Sequence, residues 1–398
     1  MRMVTVVVAV GMASAAFAGS DAPAPEILPD TAALTGQGDL AAEMVAGIGR
    51  YLDRELAAAA DRRPSLWHPD YSSAESYIRS IVPNRLRLAR IIGAVDERIA
   101  PTEMELVGTT DTPATVAETD AYAVLAVRWP VLPGVDGEGL LLEPKAPAAA
   151  CVVAIPDADQ TPEMLAGLTA GLPTESQFAR RLAENGCRVI VPVLLDRSCE
   201  WSGNPRLRMT NQTHREWIYR MSYEVGRHII GYEVQKVLAA VDWFAGEAAR
   251  AAPSSRRTPI GVFGYGEGGL IALYDGALSS RIDATAVSGY FRSRQFIWQE
   301  PVYRNVWSLL TEFGDADIAG LIAPRALIVE AGRGPEVPGP PKLEGHHEAA
   351  PGALATPPLD CANREFNRAK ATFDHLGAGD RIYLVEAGED AGPGTDEA

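Results

Sequence analysis

Basic charge is scarce in this chain of 398 residues: 36 Lys and Arg face 52 Asp and Glu, for a net charge of −16. No basic stripe is available for a polyanion, which excludes nucleic acid as a partner. Cysteine is scarcer still. Cys151, Cys187, Cys199 and Cys361 are too few and too scattered for a disulfide framework. Cys151 and Cys187 each open an apolar run and read as small core residues. Beyond the first twenty residues no apolar run is long enough to span a bilayer. Internal repeats are absent, and so is a convincing metal signature. The adjacent His346 and His347 of "GHHEAAPG" sit in a Pro/Gly-rich stretch without a third ligand and read as a surface loop.

What is present begins with "MRMVTVVVAVGMASAAFAGS". Arg2, an apolar run from Val4 and the Ala16-Phe17-Ala18 site before Gly19 have the layout of a signal peptide cleaved after Ala18. A secreted or periplasmic protein, without membrane attachment after cleavage, is therefore expected. Residues 19–37 read as a loose leader, 38–103 as an N-terminal helical extension, and 104–398 as one α/β domain.

In that domain "MELVGTT", "AYAVLAVRWPVL" and "GEGLLLEPK" suggest antiparallel strands, the last two joined by a turn at 133–137. Apolar strands then alternate with helical stretches: "ACVVAIP", "RVIVPVLLD", "PIGVFGYG", "DATAVSGYF", "RALIVEAG" and "RIYLVEAG". Between them, "IIGYEVQKVLAAVDWFAGEA", "NVWSLLTEFG" and "CANREFNRAKATFDHLG" read as helical. Repeated βα units predict a mostly parallel sheet of about eight strands with helices on both faces. The closing "GPGTDEA" looks like the start of a helix capped by Thr395, which suggests a chain that continues beyond Ala398.

The segment "VFGYGEGGLIALYDG" matches two glycine patterns. Gly264, Gly266 and Gly269 satisfy the dinucleotide-binding G-x-G-x-x-G. Yet such a turn follows the first strand of its unit, and the next strand ends with a carboxylate. Here several βα units come first, and the next strand ends in Gly289-Tyr290-Phe291-Arg292. The other pattern is the nucleophile elbow G-x-S-x-G, matched except at Gly266, which stands where serine is needed.

On "GYGEGG", on "GRHIIGYEVQKVLAAVDWF" before it and on "IAPRALIVEAG" after it, the chain resembles the dienelactone-hydrolase and acetyl-xylan-esterase-like branch of the α/β-hydrolases. The resemblance spans about residues 105–390 and implies an α/β-hydrolase fold with a degenerate elbow. It also implies where a triad would lie. The nucleophile position is Gly266, the acid would be Glu330 or Glu336, and the histidine should follow "IYLVEAG", where none occurs. The oxyanion loop after "CVVAIP" reads Asp157-Ala158-Asp159-Gln160, with two carboxylates beside a developing negative charge.

Two functions from different classes follow, with a third in reserve. The first is a pseudo-hydrolase that binds a ligand or serves as a scaffold. The second is a carboxylic-ester hydrolase with a non-standard site at Tyr265, Glu267 and Glu330. The third is a nucleotide-binding oxidoreductase. The strand ends place Asp157, Asp159, Arg197, Trp201 and Tyr290 around a site for a small molecule or carbohydrate, by hydrogen bonding and ring stacking. No metal or other cofactor is expected.

Overall fold

The computed structural model describes residues 29–31, 38–200, 212–250, 257–338, 352–388, 391–396 and 398. The expected signal peptide, most of the leader, Trp201 and the His346–His347 pair lie outside these residues. The chain divides into two compact units, Met1–Leu52 and Asp53–Ala398. The smaller unit holds the first part of helix α1 (Leu40–Arg62); every other element belongs to the larger.

Among the described residues ten strands form one sheet: β1 (Glu105–Leu106), β2 (Thr115–Glu118), β3 (Tyr122–Leu132), β4 (Val135–Pro144), β5 (Cys151–Ile155), β6 (Arg188–Pro192), β7 (Ile260–Tyr265), β8 (Ala284–Ser288), β9 (Ala326–Ala331) and β10 (Ile382–Glu386). Their order is β1-β3-β4-β6-β5-β7-β8-β9-β10, with β2 also on β3. Setting aside the edge strands β1 and β2 leaves eight, and β7, which leads into the glycine turn, is the fifth of them. The β3–β4 and β4–β6 pairs are antiparallel, and every pair from β6 to β10 is parallel. The turn between β3 and β4 is tighter than expected. Leu132 pairs with Val135, so Pro133 and Gly134 alone make the bend, with Gly134 at φ 78°.

Helices α2 (Ala74–Ser80) and α3 (Val82–Ile91) precede the sheet. Within and after it come α4 (Pro162–Leu165), α5 (Phe178–Glu184), α6 (His214–Tyr223), α7 (Ile229–Arg250) and α8 (Glu267–Leu278). The last three are α9 (Leu309–Glu312), α10 (Asp315–Gly320) and α11 (Leu359–His375). Side chains alternate across the sheet with the two-residue period of a strand. Ile190 of β6 enters one core with α7 and α8, while its neighbours Val189 and Val191 enter another with Phe178 and Ala179 of α5. Helix α8 is buried all round from Glu267 to Ala277, so its sequence shows little amphipathic contrast. The first of these cores also takes in Tyr77, Ile81, Leu88 and Ile92 from α2, α3 and the residues that close them. The Tyr77 hydroxyl donates to the Gly320 carbonyl at 2.8 Å.

Two local expectations are corrected. "NVWSLLTEFG" yields only the four residues of α9, since Ser308 adopts a left-handed φ of 61° and Gly314 interrupts before α10. Residues 391–396 form no helix; the Thr395 hydroxyl donates to Glu330 rather than capping one. All four cysteines are free thiols, with Cys151 buried as expected and Cys187 half-buried.

Candidate functional site

The glycine turn has the geometry of an elbow. Gly266 sits between β7 and α8 with φ 58° and ψ −114°, a conformation that glycine adopts without the steric cost borne by other residues. The flanking glycines answer to crowding. A Cβ on Gly264 would collide with the Gly268 carbonyl, and one on Gly268 with the Ile155 carbonyl. The spacing of these glycines is thus what a sharp strand-to-helix turn needs.

A side chain at Gly266 would find its place taken. Its Cβ would lie 2.7 Å from Pro335 Cγ and 3.0 Å from Asp157 Cγ, with Asp157 Oδ1 closer still. That oxygen accepts the Glu267 N–H at 2.9 Å. In a working elbow, the N–H after the nucleophile is one half of the oxyanion hole, and the loop after the third strand supplies the other. Here the first half is bonded to a resident carboxylate. In the loop after β5, Asp157 N–H is bonded to Gln160 Oε1 at 3.1 Å.

Asp157 is held by a bidentate pair with Arg197, at 2.6 Å (Nη1–Oδ2) and 3.0 Å (Nη2–Oδ1). Arg197 Nη1 also meets Asp159 Oδ2 at 2.9 Å, its N–H donates to Asp159 Oδ1, and its Nε donates to the Tyr303 hydroxyl at 2.9 Å. Behind this pair, Glu267 is fully buried among Arg304 (2.7 Å), Arg197 (3.3 Å) and Arg215 (3.5 Å). Burial alone would raise the Glu267 pKa, but Arg304, Arg215 and Arg197 outweigh it and hold the group down at about 2. Arg304 continues to Glu300, Glu300 to Arg294, and Arg294 to Asp315 at 2.9 Å. The result is a buried lattice of alternating charge built largely from the loop after β8.

Glu330, at the end of β9, belongs to a separate cluster. Its carboxylate accepts Ser288 Oγ, Gly394 N–H (2.9 Å), Thr395 N–H (2.7 Å) and Thr395 Oγ1 (2.8 Å). Backbone and hydroxyl donors of residues 394–395 therefore surround the carboxylate that would orient a triad histidine. Glu336, the other acid considered, accepts the Thr356 hydroxyl at 3.0 Å. Tyr265 lies between the two clusters and is buried; burial, reinforced by the Asp157 charge, pushes its phenol up to about 12.

The structure thus brings Asp157, Asp159, Arg197 and Glu267 together and keeps Glu330 apart from them. Tyr290 is buried with the Arg294 guanidinium 3.6 Å over its ring, so the face expected to stack on a ligand is occupied. Among the described histidines, His228 is buried. It accepts Ile230 N–H on Nδ1 and donates from Nε2 to the Asn305 carbonyl, and burial lowers its pKa to about 4. His214 contacts Asp196 at 2.7 Å, and His375 packs against Tyr71. Among the described residues no group of three metal-ligating side chains converges.

Sequence reasoning missed two features. Arg215, Arg294 and Arg304 complete the buried lattice, although only their density in "RSRQFIWQEPVYRNVW" and "THREW" hints at it. The loop after β8 also presents Phe296, Trp298 and Trp307 at 63%, 55% and 69% exposure, accessible aromatics in place of the expected Tyr290. Near the ends of β9 and β10 an open cleft of about 470 Å³ is lined by Arg333, Glu336, Thr356 and Leu359.

No family model matches the chain, and no curated protein matches it. Solved structures do. A Bacteroides fragilis protein assigned as an acetyl xylan esterase superposes with a TM-score of 0.56 at 14% identity, covering 89% of this chain and 84% of its own. A carbohydrate esterase family 15 enzyme from a marine bacterial metagenome, described as promiscuous, gives 0.51 at 12% identity, covering 81% and 90%. The glucuronoyl esterase of Solibacter usitatus gives 0.50 at 13%, covering 82% and 92%. With the strand order, the elbow backbone and these neighbours in agreement, the chain has the α/β-hydrolase fold, the fold of these esterases.

Proposed function

We propose that this protein is an exported α/β-hydrolase-fold domain without serine-hydrolase chemistry, acting as a ligand-binding or scaffold module. One observation carries the reading: the space and the N–H donor that a nucleophile and its oxyanion would use are filled by the Asp157 carboxylate, which Arg197 clamps. A glycine provides no nucleophile, and a negative charge already resident in the hole repels a second one. The same carboxylate bars the N-terminus of α8 to a pyrophosphate, which weighs against the nucleotide-binding alternative. Ligand binding is supported by the cleft past β9 and β10 and by the exposed aromatics of the loop after β8. A small molecule or carbohydrate suits such a rim, with aromatic faces for apolar ring surfaces and Arg333 and Glu336 for polar groups. Export rests on the signal-like N-terminal segment.

A second reading is a carboxylic-ester hydrolase acting on a carbohydrate ester, with Tyr265, Glu267 and Glu330 as its site. It is favoured by the acetyl xylan and glucuronoyl esterases among the structural neighbours. Each of the three residues would need release from its present partners before acting: Tyr265 from burial, Glu267 from three arginines, Glu330 from the segment at 394–395.

The two readings separate on one experiment. Purified protein is treated with a fluorophosphonate probe and with p-nitrophenyl acetate, beside Gly266→Ser and Tyr265→Phe variants. Absence of labelling and of turnover above buffer is expected for the native chain. Native turnover lost in Tyr265→Phe would establish the esterase reading instead.

A further inference from the structure

The opposite end of the sheet carries its own cleft. Helix α8 begins at the glycine turn and runs back to Leu278, and Ser279–Arg281 lead to the start of β8; α7 likewise ends at Arg250, ahead of β7. An open cleft of about 930 Å³ lies at this end, between α3, the segment at 94–102, the second half of α7 and the end of α8. This size matches pockets that hold one small organic molecule. Its walls are mixed. Ala89, Leu238, Ala245 and Leu278 make an apolar floor, exposed Leu86 stands at its edge, and arginines lie among them.

Those arginines are incompletely neutralised. Arg98 (Nη2, 2.8 Å) and Arg281 share the single carboxylate of Asp242. Among the described residues Arg85 donates only to carbonyls, those of Ala277 (2.7 Å) and Leu321 (3.0 Å). Behind it Arg325 also meets only carbonyls among the described residues, at Gly276 (2.6 Å), Ser279 (2.9 Å), Ile282 (2.7 Å) and Leu321. Burial, with Arg85 as a like charge beside it, lowers the Arg325 pKa to about 10. Asp275, one turn before Leu278, is fully buried; burial raises its pKa well above the ordinary value, and the Arg98 charge opposes that rise. Of the other lining charges, Asp96 is taken by Arg227 and Arg250 by Glu247, and Glu97 is exposed. A surplus of positive charge beside an apolar floor remains, on a chain whose net charge is −16.

We propose that this cleft is a second binding site, taking a soluble organic anion with an apolar body: its carboxylate or sulfonate head beside Arg98 and Arg281, its body against Leu86, Leu238 and Leu278. Such a head completes the half-satisfied pair around Asp242, and the body removes apolar wall from water. The site is independent of the rim and of whether the elbow is catalytic.

The test is titration of the full chain with 8-anilinonaphthalene-1-sulfonate, followed by fluorescence, with decanoate and decanol as competitors. Saturable one-to-one binding is expected, displaced by decanoate and not by decanol. Arg281→Glu, at an exposed rim position, should weaken it at least tenfold while leaving the urea unfolding curve in place. Ala245→Trp, which fills the cleft, should abolish it. Arg281→Glu decides the matter alone if the tryptophan variant does not fold. Absence of saturable binding, equal displacement by decanol, or binding indifferent to Arg281→Glu but lost in Arg333→Glu at the other end would overturn the proposal.

Discussion

The two ends of the sheet treat arginine in opposite ways. At the carboxyl ends of the strands Arg197, Arg215, Arg294 and Arg304 are buried and each faces a carboxylate: Asp157, Glu267, Glu300 or Asp315. At the amino ends Arg85 and Arg325 are met by carbonyl dipoles, and Arg98 and Arg281 divide one aspartate. The first arrangement closes a site. Charges that cancel within the fold have little left for a ligand, and breaking any pair leaves its partner unsolvated. The second leaves a field directed outward, where an anion gains what the protein has not supplied. The space beside Gly266 is therefore not a void. The Glu267 N–H still needs an acceptor in a buried place, and Asp157 provides one.

The sharpest way to break this contrast is to remove the hub of the closed end. Glu267→Ala takes one carboxylate from each of three buried arginines, and a loss of about 3–5 kcal/mol in urea unfolding is expected. Next in size is acid sensitivity at the same end. His228 has a native pKa near 4 against an ordinary 6.5, so the unfolded chain takes up the proton first as pH falls. Stability from keeping this imidazole neutral is complete above pH 6.5 and lost on descending to 4, by about 3 kcal/mol. His228→Asn should flatten unfolding free energy over that window. Glu267, held near 2 against 4.5, adds a further loss only below pH 4.5. Asp315, raised to about 6 by burial, has the opposite sign and offsets part of the fall between pH 6 and 3.8.

Gly266→Ser comes third. The added side chain presses on Asp157 and Pro335 in a left-handed backbone, which should cost about 1–3 kcal/mol. The variant should not label with fluorophosphonate, since the Asp157 carboxylate still holds the Glu267 N–H that an oxyanion would use. The smallest effect belongs to the open end. Arg281→Ala removes an exposed member of a shared pair and should stay within about 0.5 kcal/mol of the native chain, whatever it does to anion binding.

The elements that were legible are those with strong local signals. The βα alternation, the apolar face of α7 and the crowded glycines at 264 and 268 each follow from periodicity or sterics that act within a few residues. "NVWSLLTEFG" was less legible, since its apolar residues suit a helix while Trp67 and Arg87, from the far-off N-terminal segment, bond Glu312 at its end. Strand ends assign Asp157, Asp159, Arg197 and Glu267 to a site facing solvent. Their mutual pairing was not visible, nor was the turning inward of Tyr265 and Tyr290.

From sequence alone come the α/β alternation, the elbow spacing, and a glycine rather than a serine at 266. These are statements about residue types at short range, and no folding can give a glycine a hydroxyl. Only the tertiary structure decides what fills the place of the missing group. Asp157 and Glu267 are 110 residues apart in the chain, and Glu330 and Thr395 are 65 apart. Their meeting depends on how loops from different strands close over one sheet end, where buried donors and charges must find partners, and no local pattern encodes which partner each will find.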